Sequence, residues 1–269
     1  MRVEKWQALG NDYLVVEGDV PDPATVTRLC ERHTGVGADG VLVLLPADEP
    51  GFVARLRIFN PDGSEAELSG NGAREAIMYL HRRGWTEARQ FSIQTIAGEI
   101  RPTILDERTC RVDMGRARLG VDGEVAGFGF QQVFVGNPQC AIRVASEEEL
   151  DALDLPAIGP GIEHHELFAP GRTNVSWWTE LGPGVIRARI FERGVGETMS
   201  SGTGASGAAI AYALRGGDTP VTVRLDGGEL TVDVGEDLHV DLTGWAVPVF
   251  QGVIDVDQIA SQSDGRAAR

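Results

Sequence analysis

Apolar residues recur with two different spacings along the chain, and each spacing predicts one kind of element. FSIQTIAGEIRPTI (91–104) and VTVRLDGGELTVDV (221–234) alternate apolar and polar residues about a glycine, which is typical of two half-buried strands joined by a turn. ELSGNGAREAIMYLHRRG (67–84) and TMSSGTGASGAAIAYALRGG (198–217) are instead runs of helix-forming residues that follow a serine and end at glycine. The pattern therefore predicts mixed strands and helices, with one long apolar helix before each strand pair.

The two predicted helices belong to a longer internal duplication. Residues 57–84 and 189–216 align without a gap at a shift of 132 residues, and both contain Arg-Ile-Phe and Ser-Gly-x-Gly. Such a repeat indicates two copies of one structural unit. We predict an α+β fold of two pseudosymmetric domains, each a curved, mostly antiparallel sheet around a central helix, with the active-site cleft between them. The expected limits are 1–117, completed by a C-terminal strand near 249–258, then 118–248, and a flexible tail at 259–269.

Composition narrows the classes of partner. The net charge of −16 over 269 residues would repel a phosphate backbone or an anionic membrane surface. No stretch approaches the roughly 18 consecutive apolar residues that a membrane helix needs. The three cysteines lack C-x-x-C spacing, so neither a disulfide framework nor a zinc site is expected. We expect a cytoplasmic protein that binds a small molecule and no metal, nucleic acid or membrane, with a homodimer left open.

The two Ser-Gly-x-Gly turns, at 69–72 and 201–204, are candidates for an anion site. Each would place backbone N–H groups at the positive end of a helix, and glycine would let an anion approach closely. The pattern also allows a plainer role for Ser69 and Ser201, because serine is a favoured helix N-cap that contributes about 1 kcal/mol. Both interpretations stay open on the pattern alone.

Longer motifs carry a resemblance to a known family. ALGNDYLVVE, TGVGADGVLVL, RIFNPDGSEAELSGNGAR, VFVGNPQC, TNVSW and IFERGVGETMSSGTGASGAA occur in the order and spacing of the diaminopimelate epimerases, which the chain resembles over nearly its whole length. The resemblance implies two pseudosymmetric domains that close over one substrate without pyridoxal phosphate or metal. It also implies inversion at the α-carbon of diaminopimelate between its LL and meso forms, on the path to lysine and cell-wall peptide.

The resemblance further implies a set of substrate-binding residues. Motif positions that hold the substrate's two amino-acid ends in the family are matched here by Asn11, Asn60, Asn137, Asn174, Glu192 and Arg193. The carboxylate beside the reacting carbon is expected on the amides of Gly70, Asn71, Gly202 and Thr203. Arginine can grip a carboxylate bidentately, and an asparagine amide can serve both ammonium and carboxylate. Turn geometry would explain one loop asparagine, but explains the whole set poorly.

The sequence departs from the family at the reacting groups. The resemblance implies two cysteines facing each other across the α-carbon, one as thiolate base and one as thiol acid, and these positions are Ser69 and Ser201. The histidine of the family's GNPHC motif is Gln139 here, and the second cysteine of GTGAC is Ser206. An alkyl hydroxyl is roughly five pKa units less acidic than a thiol, so its ionisation costs about 7 kcal/mol more. We therefore do not expect a symmetric mechanism on two serines.

The catalytic candidates are Ser69, Ser201, Glu192 and Gln139, but no base for either serine is evident. Gln139 cannot accept a proton, and Glu192 is expected to stay ionised on the substrate's ammonium group. Several functions stay open beside a cofactor-independent amino-acid isomerase. One is a diverged enzyme for elimination, cyclisation or one-sided isomerisation, in which Glu192 or substrate groups move protons. The others are a non-catalytic binding protein and an ordinary epimerase with engineered serines.

Two features help to choose among these functions. The changes at Gln139 and Ser206 favour natural divergence, because trapping a substrate complex would not require them. The retained pair Glu192 and Arg193 favours an enzyme over a binding protein.

Overall fold

The computed structural model describes residues 1–256 and 258, and the chain divides into two compact units. The first unit comprises Met1–Cys110 and the chain from Trp245, and the second is Arg111–Gly244. These limits differ from the expected 1–117 and 118–248, because the strand Thr109–Arg116 lies in the sheet of the second unit. The expected tail at 259–269 lies outside the described residues.

The first unit is built on a sheet with the strand order β19-β1-β2-β3-β4-β6-β7, and β5 pairs with β4. Its C-terminal strand β19 runs antiparallel to β1, close to where the sequence predicts a completing strand. The strands are β1 (Arg2–Ala8), β2 (Asn11–Glu17), β3 (Gly40–Leu45), β4 (Ala54–Phe59), β5 (Glu65–Ala66), β6 (Ile93–Thr95), β7 (Gly98–Ile100), β8 (Pro102–Ile104) and β19 (Val247–Val253). The helices are α1 (Pro23–Cys30) and α2 (Gly70–Arg82).

The second unit has the strand order β10-β11-β12-β13-β14-β16-β17-β18-β9, and β15 pairs with β14. The strands are β9 (Thr109–Arg116), β10 (Arg118–Val125), β11 (Phe128–Val135), β12 (Asn137–Arg143), β13 (Asn174–Gly182), β14 (Val185–Glu192), β15 (Gly196–Thr198), β16 (Val221–Leu225), β17 (Gly228–Val234) and β18 (His239–Trp245). The helices are α3 (Glu147–Ala152), α4 (Leu155–Glu163) and α5 (Gly202–Ala213), with a 3-10 turn at Glu166–Phe168.

The sequence repeat reappears in the strand pairing. β4 is antiparallel to β3 and parallel to β6, just as β14 is antiparallel to β13 and parallel to β16. The short strands β5 and β15 pair with β4 and β14 at residues related by the same shift of 132, for example Phe59↔Glu65 and Phe191↔Glu197. The predicted α+β fold of two similar units is confirmed, as are the predicted strand pairs β6–β7 and β16–β17.

Each unit buries its long helix against its own sheet. Residues 71–80 of α2 and 202–212 of α5 are buried, and α5 contacts β11, β12, β13, β14, β16 and β17. A helix that is buried on all sides needs small or apolar residues around its whole circumference, and the alanines and glycines of α5 meet that need. Among the described residues, no helix combines the length and hydropathy needed to cross a membrane.

Candidate active site

Both serines of the Ser-Gly-x-Gly turns cap a helix. Ser69 has extended backbone angles (φ −129°, ψ 121°), and its Oγ accepts a hydrogen bond of 3.1 Å from the Gly72 amide at the start of α2. Ser201 has nearly the same angles (φ −143°, ψ 124°), and its Oγ accepts a bond of 3.3 Å from the Gly204 amide at the start of α5. The capping role is therefore confirmed, and it leaves each hydroxyl free to take part in further hydrogen bonds.

Equivalent ion pairs brace the loop before each serine. Arg57 on β4 lies 2.7 Å from Glu65 on β5, and Arg189 on β14 lies 2.6 Å from Glu197 on β15. Each pair ties the short strand that precedes the serine to the central strand of its unit. The four residues obey the shift of 132, so the duplication preserves the support of the helix start as well as its sequence.

Ser201 is hydrogen-bonded to a carboxylate. Its Oγ donates to Glu192 Oε2 over 3.0 Å, and the Thr198 hydroxyl donates to Glu192 Oε1 over 2.8 Å. Burial raises the pKa of Glu192, although the two hydrogen bonds favour its ionised form. The sequence offers no evident base for either serine; the structure supplies Glu192 for Ser201, at the end of β14 and beside the start of α5.

Ser69 has a different partner. The position equivalent to Glu192 is Asn60, whose amide Nδ2 donates to Ser64 Oγ over 3.0 Å within the turn between β4 and β5. The hydroxyl of Tyr13 on β2 instead donates to Ser69 Oγ over 3.1 Å. The two serines are alike in backbone and cap but differ in chemistry, because one faces a carboxylate and the other a phenol.

Gln139 belongs to a separate buried group. It is fully buried; its Nε2 donates to Asn137 Oδ1, and its Oε1 accepts from the Ser176 hydroxyl over 3.5 Å. It also packs closely on α5, since a Cβ added at Gly207 would lie 2.8 Å from Gln139 Cβ. Within residues 1–256, no hydrogen bond joins Gln139 to Ser201, so its predicted catalytic role has no geometric support here.

Two of the predicted binding residues form one network in the first unit. Asn71 Nδ2 donates to Asn11 Oδ1 over 3.2 Å, and Asn11 Nδ2 donates to Asp39 Oδ2 over 2.9 Å. The fully buried Arg74 donates to Asn71 Oδ1 over 2.6 Å and to the Gly70 carbonyl over 3.1 Å. Sequence reasoning missed Arg74 and Asp39, although Arg74 ends the quoted motif SGNGAR.

Asn174 and Arg193 meet in the second unit. Asn174 Oδ1 accepts from the Arg193 backbone amide over 2.8 Å, and Asn174 Nδ2 donates to the Pro138 carbonyl over 3.0 Å. The exposed guanidinium of Arg193 donates through Nη1 to the Gly171 carbonyl over 2.6 Å. Because a guanidinium carries five N–H donors, this contact leaves the side chain able to grip a carboxylate. Asn174 thus fixes the backbone from which Arg193 projects.

The three cysteines are buried away from these positions in the sequence and do not replace the missing thiols. Burial raises the pKa of Cys30 and of Cys110 to about 12, and it raises the pKa of Cys140 further. A thiol acts as a base or nucleophile only as the thiolate. These three side chains are therefore poor substitutes for the reactive pair.

One group of side chains in the described part of the chain has the composition of a metal site. The ligand atoms of Asp113, His239 and Asp241 lie within 4.8 Å of one another, and His239 Nε2 is 3.1 Å from Asp113 Oδ1. An ion pair between a protonated histidine and Asp113 accounts for this contact. None of the three belongs to the predicted site residues.

Comparison with known proteins agrees with the motifs. The sequence model of the family described as diaminopimelate epimerase matches residues 3–120 and 132–247. A diaminopimelate epimerase of Pelotomaculum thermopropionicum is 41% identical over 280 residues, covering 94% of this chain and 98% of that protein.

Solved structures share the fold at much lower identity. A phenazine biosynthesis protein of the PhzF family from Bacillus anthracis superposes with a TM-score of 0.73 at 18% identity, covering 94% of this chain and 99% of that chain. A hydroxyproline epimerase from Agrobacterium vitis, solved with bound trans-4-hydroxy-L-proline, gives a TM-score of 0.71 at 19% identity, covering 94% and 91%. The chain belongs to the diaminopimelate epimerase family of isomerases.

Proposed function

We propose that this protein is a cofactor-independent isomerase that moves the α-proton of an amino-acid substrate, with Ser201 and Glu192 acting as the base in place of a thiolate. The observation that carries the proposal is the 3.0 Å hydrogen bond from Ser201 Oγ to Glu192 Oε2. A serine that removes a proton has to pass its own proton on, and this carboxylate is within reach to accept it. The raised pKa of Glu192 makes the carboxylate a stronger base than an ordinary one.

This arrangement avoids the main obstacle to serine catalysis. The penalty of about 7 kcal/mol applies to a free alkoxide compared with a thiolate. When the proton leaves Ser201 for Glu192 as the substrate's proton arrives, no free alkoxide forms. The chemistry then depends on a carboxylate, which is ionised at neutral pH unless burial raises its pKa too far.

The proposed substrate is a small amino acid, and the recognition groups support this class. Arg193 offers a guanidinium for a carboxylate, and the first turns of α2 and α5 offer backbone amides at the positive ends of helices. Diaminopimelate is the first probe, because the relatives are named for it. We propose a cytoplasmic location, which the three unpaired cysteines support.

The test is α-hydrogen exchange. Purified protein is incubated with LL- or meso-diaminopimelate in D₂O, and deuterium at the α-carbon is followed by mass spectrometry. We expect slow exchange in the wild type and a loss of about 100-fold in Glu192→Gln, since general acid–base catalysis contributes typically 10²–10⁴-fold. The control is Glu229→Gln, which alters an exposed carboxylate paired with Arg224. We expect its exchange rate to match the wild type.

Two outcomes would contradict the proposal. Exchange as fast in Glu192→Gln as in the wild type would remove Glu192 from the chemistry. Absence of exchange in the wild type, with tight diaminopimelate binding by calorimetry, would identify a non-catalytic binding protein. The variant Ser69→Cys with Ser201→Cys calibrates the assay, because faster exchange in it would show that the remaining site accepts diaminopimelate.

A further inference from the structure

The hydroxyl of Ser69 sits in an environment opposite to that of Ser201. Its oxygen receives two hydrogen bonds, one of 3.1 Å from the Tyr13 hydroxyl and one of 3.1 Å from the Gly72 amide. No acceptor for the Ser69 proton occurs among residues 1–256 and 258. Two donors on an oxygen stabilise negative charge there, so the hydroxyl is prepared to give its proton away.

Tyr13 is held firmly in this position. It lies on β2 opposite Gly40 of the parallel strand β3, and only 6% of its surface is exposed. A Cβ added at Gly40 would stand 2.5 Å from Tyr13 Cε1, so the ring occupies the space that a side chain would need. Glycine at position 40 therefore lets the phenol lie against the strand with its hydroxyl at Ser69.

The second unit has no counterpart to this phenol. Gly10 and Asn11 correspond to Gly136 and Asn137, which places Gln139 where the first unit has Tyr13. A glutamine side chain cannot supply a proton in the way that a phenol can. Ser201 has a carboxylate partner instead, so the two units differ in the direction in which each serine can pass a proton.

We propose that Tyr13 is the proton source behind Ser69, so that the first unit supplies the acid of the reaction and the second unit the base. This inference rests on the proposed α-proton transfer. Tyr13 is a positioning residue in this scheme, because it acts through Ser69 and does not touch the substrate.

The proton transfers balance as follows. The substrate's Cα–H bond breaks, its proton passes to Ser201 Oγ, and the Ser201 proton passes to Glu192, leaving an electron pair on the α-carbon. The Ser69 proton then bonds to the α-carbon from its own side, and the Tyr13 proton replaces it on Ser69 Oγ. Glu192 ends as a carboxylic acid and Tyr13 as a phenolate, and proton exchange with water restores both. A phenol ionises near pH 10, which makes phenolate much easier to form than alkoxide.

The experiment separates exchange from inversion. Tyr13→Phe is incubated with each diaminopimelate isomer in D₂O, deuterium uptake is measured by mass spectrometry, and inversion is measured by chiral chromatography. Without the acid partner, the carbanion is reprotonated from the side of its base. We expect exchange of the faster-exchanging isomer to stay within about twofold of the wild type while inversion falls roughly 100-fold.

Two further variants make the result specific. Ser69→Ala should reproduce the exchange without inversion, and it serves if Tyr13→Phe fails to fold, which circular dichroism would reveal. Tyr79→Phe removes a different tyrosine hydroxyl, one that donates to Glu17 over 2.7 Å, and should leave the ratio of inversion to exchange unchanged. An unchanged ratio in both Tyr13→Phe and Ser69→Ala would overturn the assignment while leaving the proposed function intact. Absence of exchange in the wild type would overturn both.

Discussion

Glu75, in the middle of α2, is a carboxyl group whose replacement should stabilise the protein. Its side chain is fully buried, and neither of its oxygens has a hydrogen-bond partner among the described residues. Burial raises its pKa well above the ordinary value, and Asp12 and Asp39 add to the shift, while Arg74 and the Tyr13 amide oppose it. Arg74 cannot pair with it closely, since consecutive helix residues point in different directions.

The perturbation is Glu75→Met, which keeps a similar volume and removes the polar atoms. A buried polar group without a partner costs about 1–3 kcal/mol, so we expect Glu75→Met to raise the free energy of unfolding by about 2 kcal/mol at pH 8. For a chain of this size that corresponds to a rise in Tm of about 4 °C. Guanidinium unfolding followed by circular dichroism at several pH values measures both the gain and its pH dependence.

The pH dependence tests the cause. Because the folded pKa of Glu75 is raised, the folded state binds the proton more tightly than the unfolded state. Its contribution to stability is fully present below the unfolded pKa of about 4.3 and is lost as pH rises through the folded pKa. The advantage of Glu75→Met should therefore grow as pH rises above about 4.3. A constant advantage, or a destabilised Glu75→Met, would refute the reasoning.

Two further predictions concern stability and thiol reactivity. Arg189→Lys should lower the free energy of unfolding by about 2 kcal/mol, because Arg189 is 14% exposed and donates to Glu197 and to the carbonyls of Leu150 and Leu153. Urea unfolding measures this loss, and Arg224→Lys, in an exposed pair, should change stability by less than about 1 kcal/mol; equal effects would contradict the prediction. The three cysteines should react with a disulfide reagent at pH 8 only after denaturation, since burial raises the pKa of each thiol. Rapid reaction of the native protein, read by absorbance, would contradict it.

The fold could be predicted from the sequence because the duplication records it twice. The shift of 132 residues aligns Ser69 with Ser201 and Phe59 with Phe191, and the strand pairing obeys the same shift. The unit limits differed because the pairing of β9 with β18 depends on strands far apart in the sequence. Long-range pairing of this kind leaves little local signal in the residues themselves.

The chemistry of the serines could not be predicted in the same way. The repeat sets Asn60 against Glu192, and the family resemblance assigns Glu192 to the substrate's ammonium group. Whether a side chain in a turn reaches forward to a helix cap depends on its rotamer and on the exact turn, which no motif specifies. Tyr13 lies far from Ser69 in sequence, and only the placement of β2 beside α2 brings the two hydroxyls together.

Loss of the two thiols therefore does not leave two equivalent inert positions. A pair of cysteines can exchange the roles of acid and base because each thiol is close enough in pKa to serve as either. A serine has no such freedom, so its neighbours decide which way a proton moves, and here the neighbours are Glu192 on one side and Tyr13 on the other. The protein thus pairs a symmetric backbone with asymmetric proton donors and acceptors. Restoring one cysteine at a time should consequently have unequal effects, with Ser69→Cys supplying an acid where Tyr13 already serves and Ser201→Cys competing with Glu192.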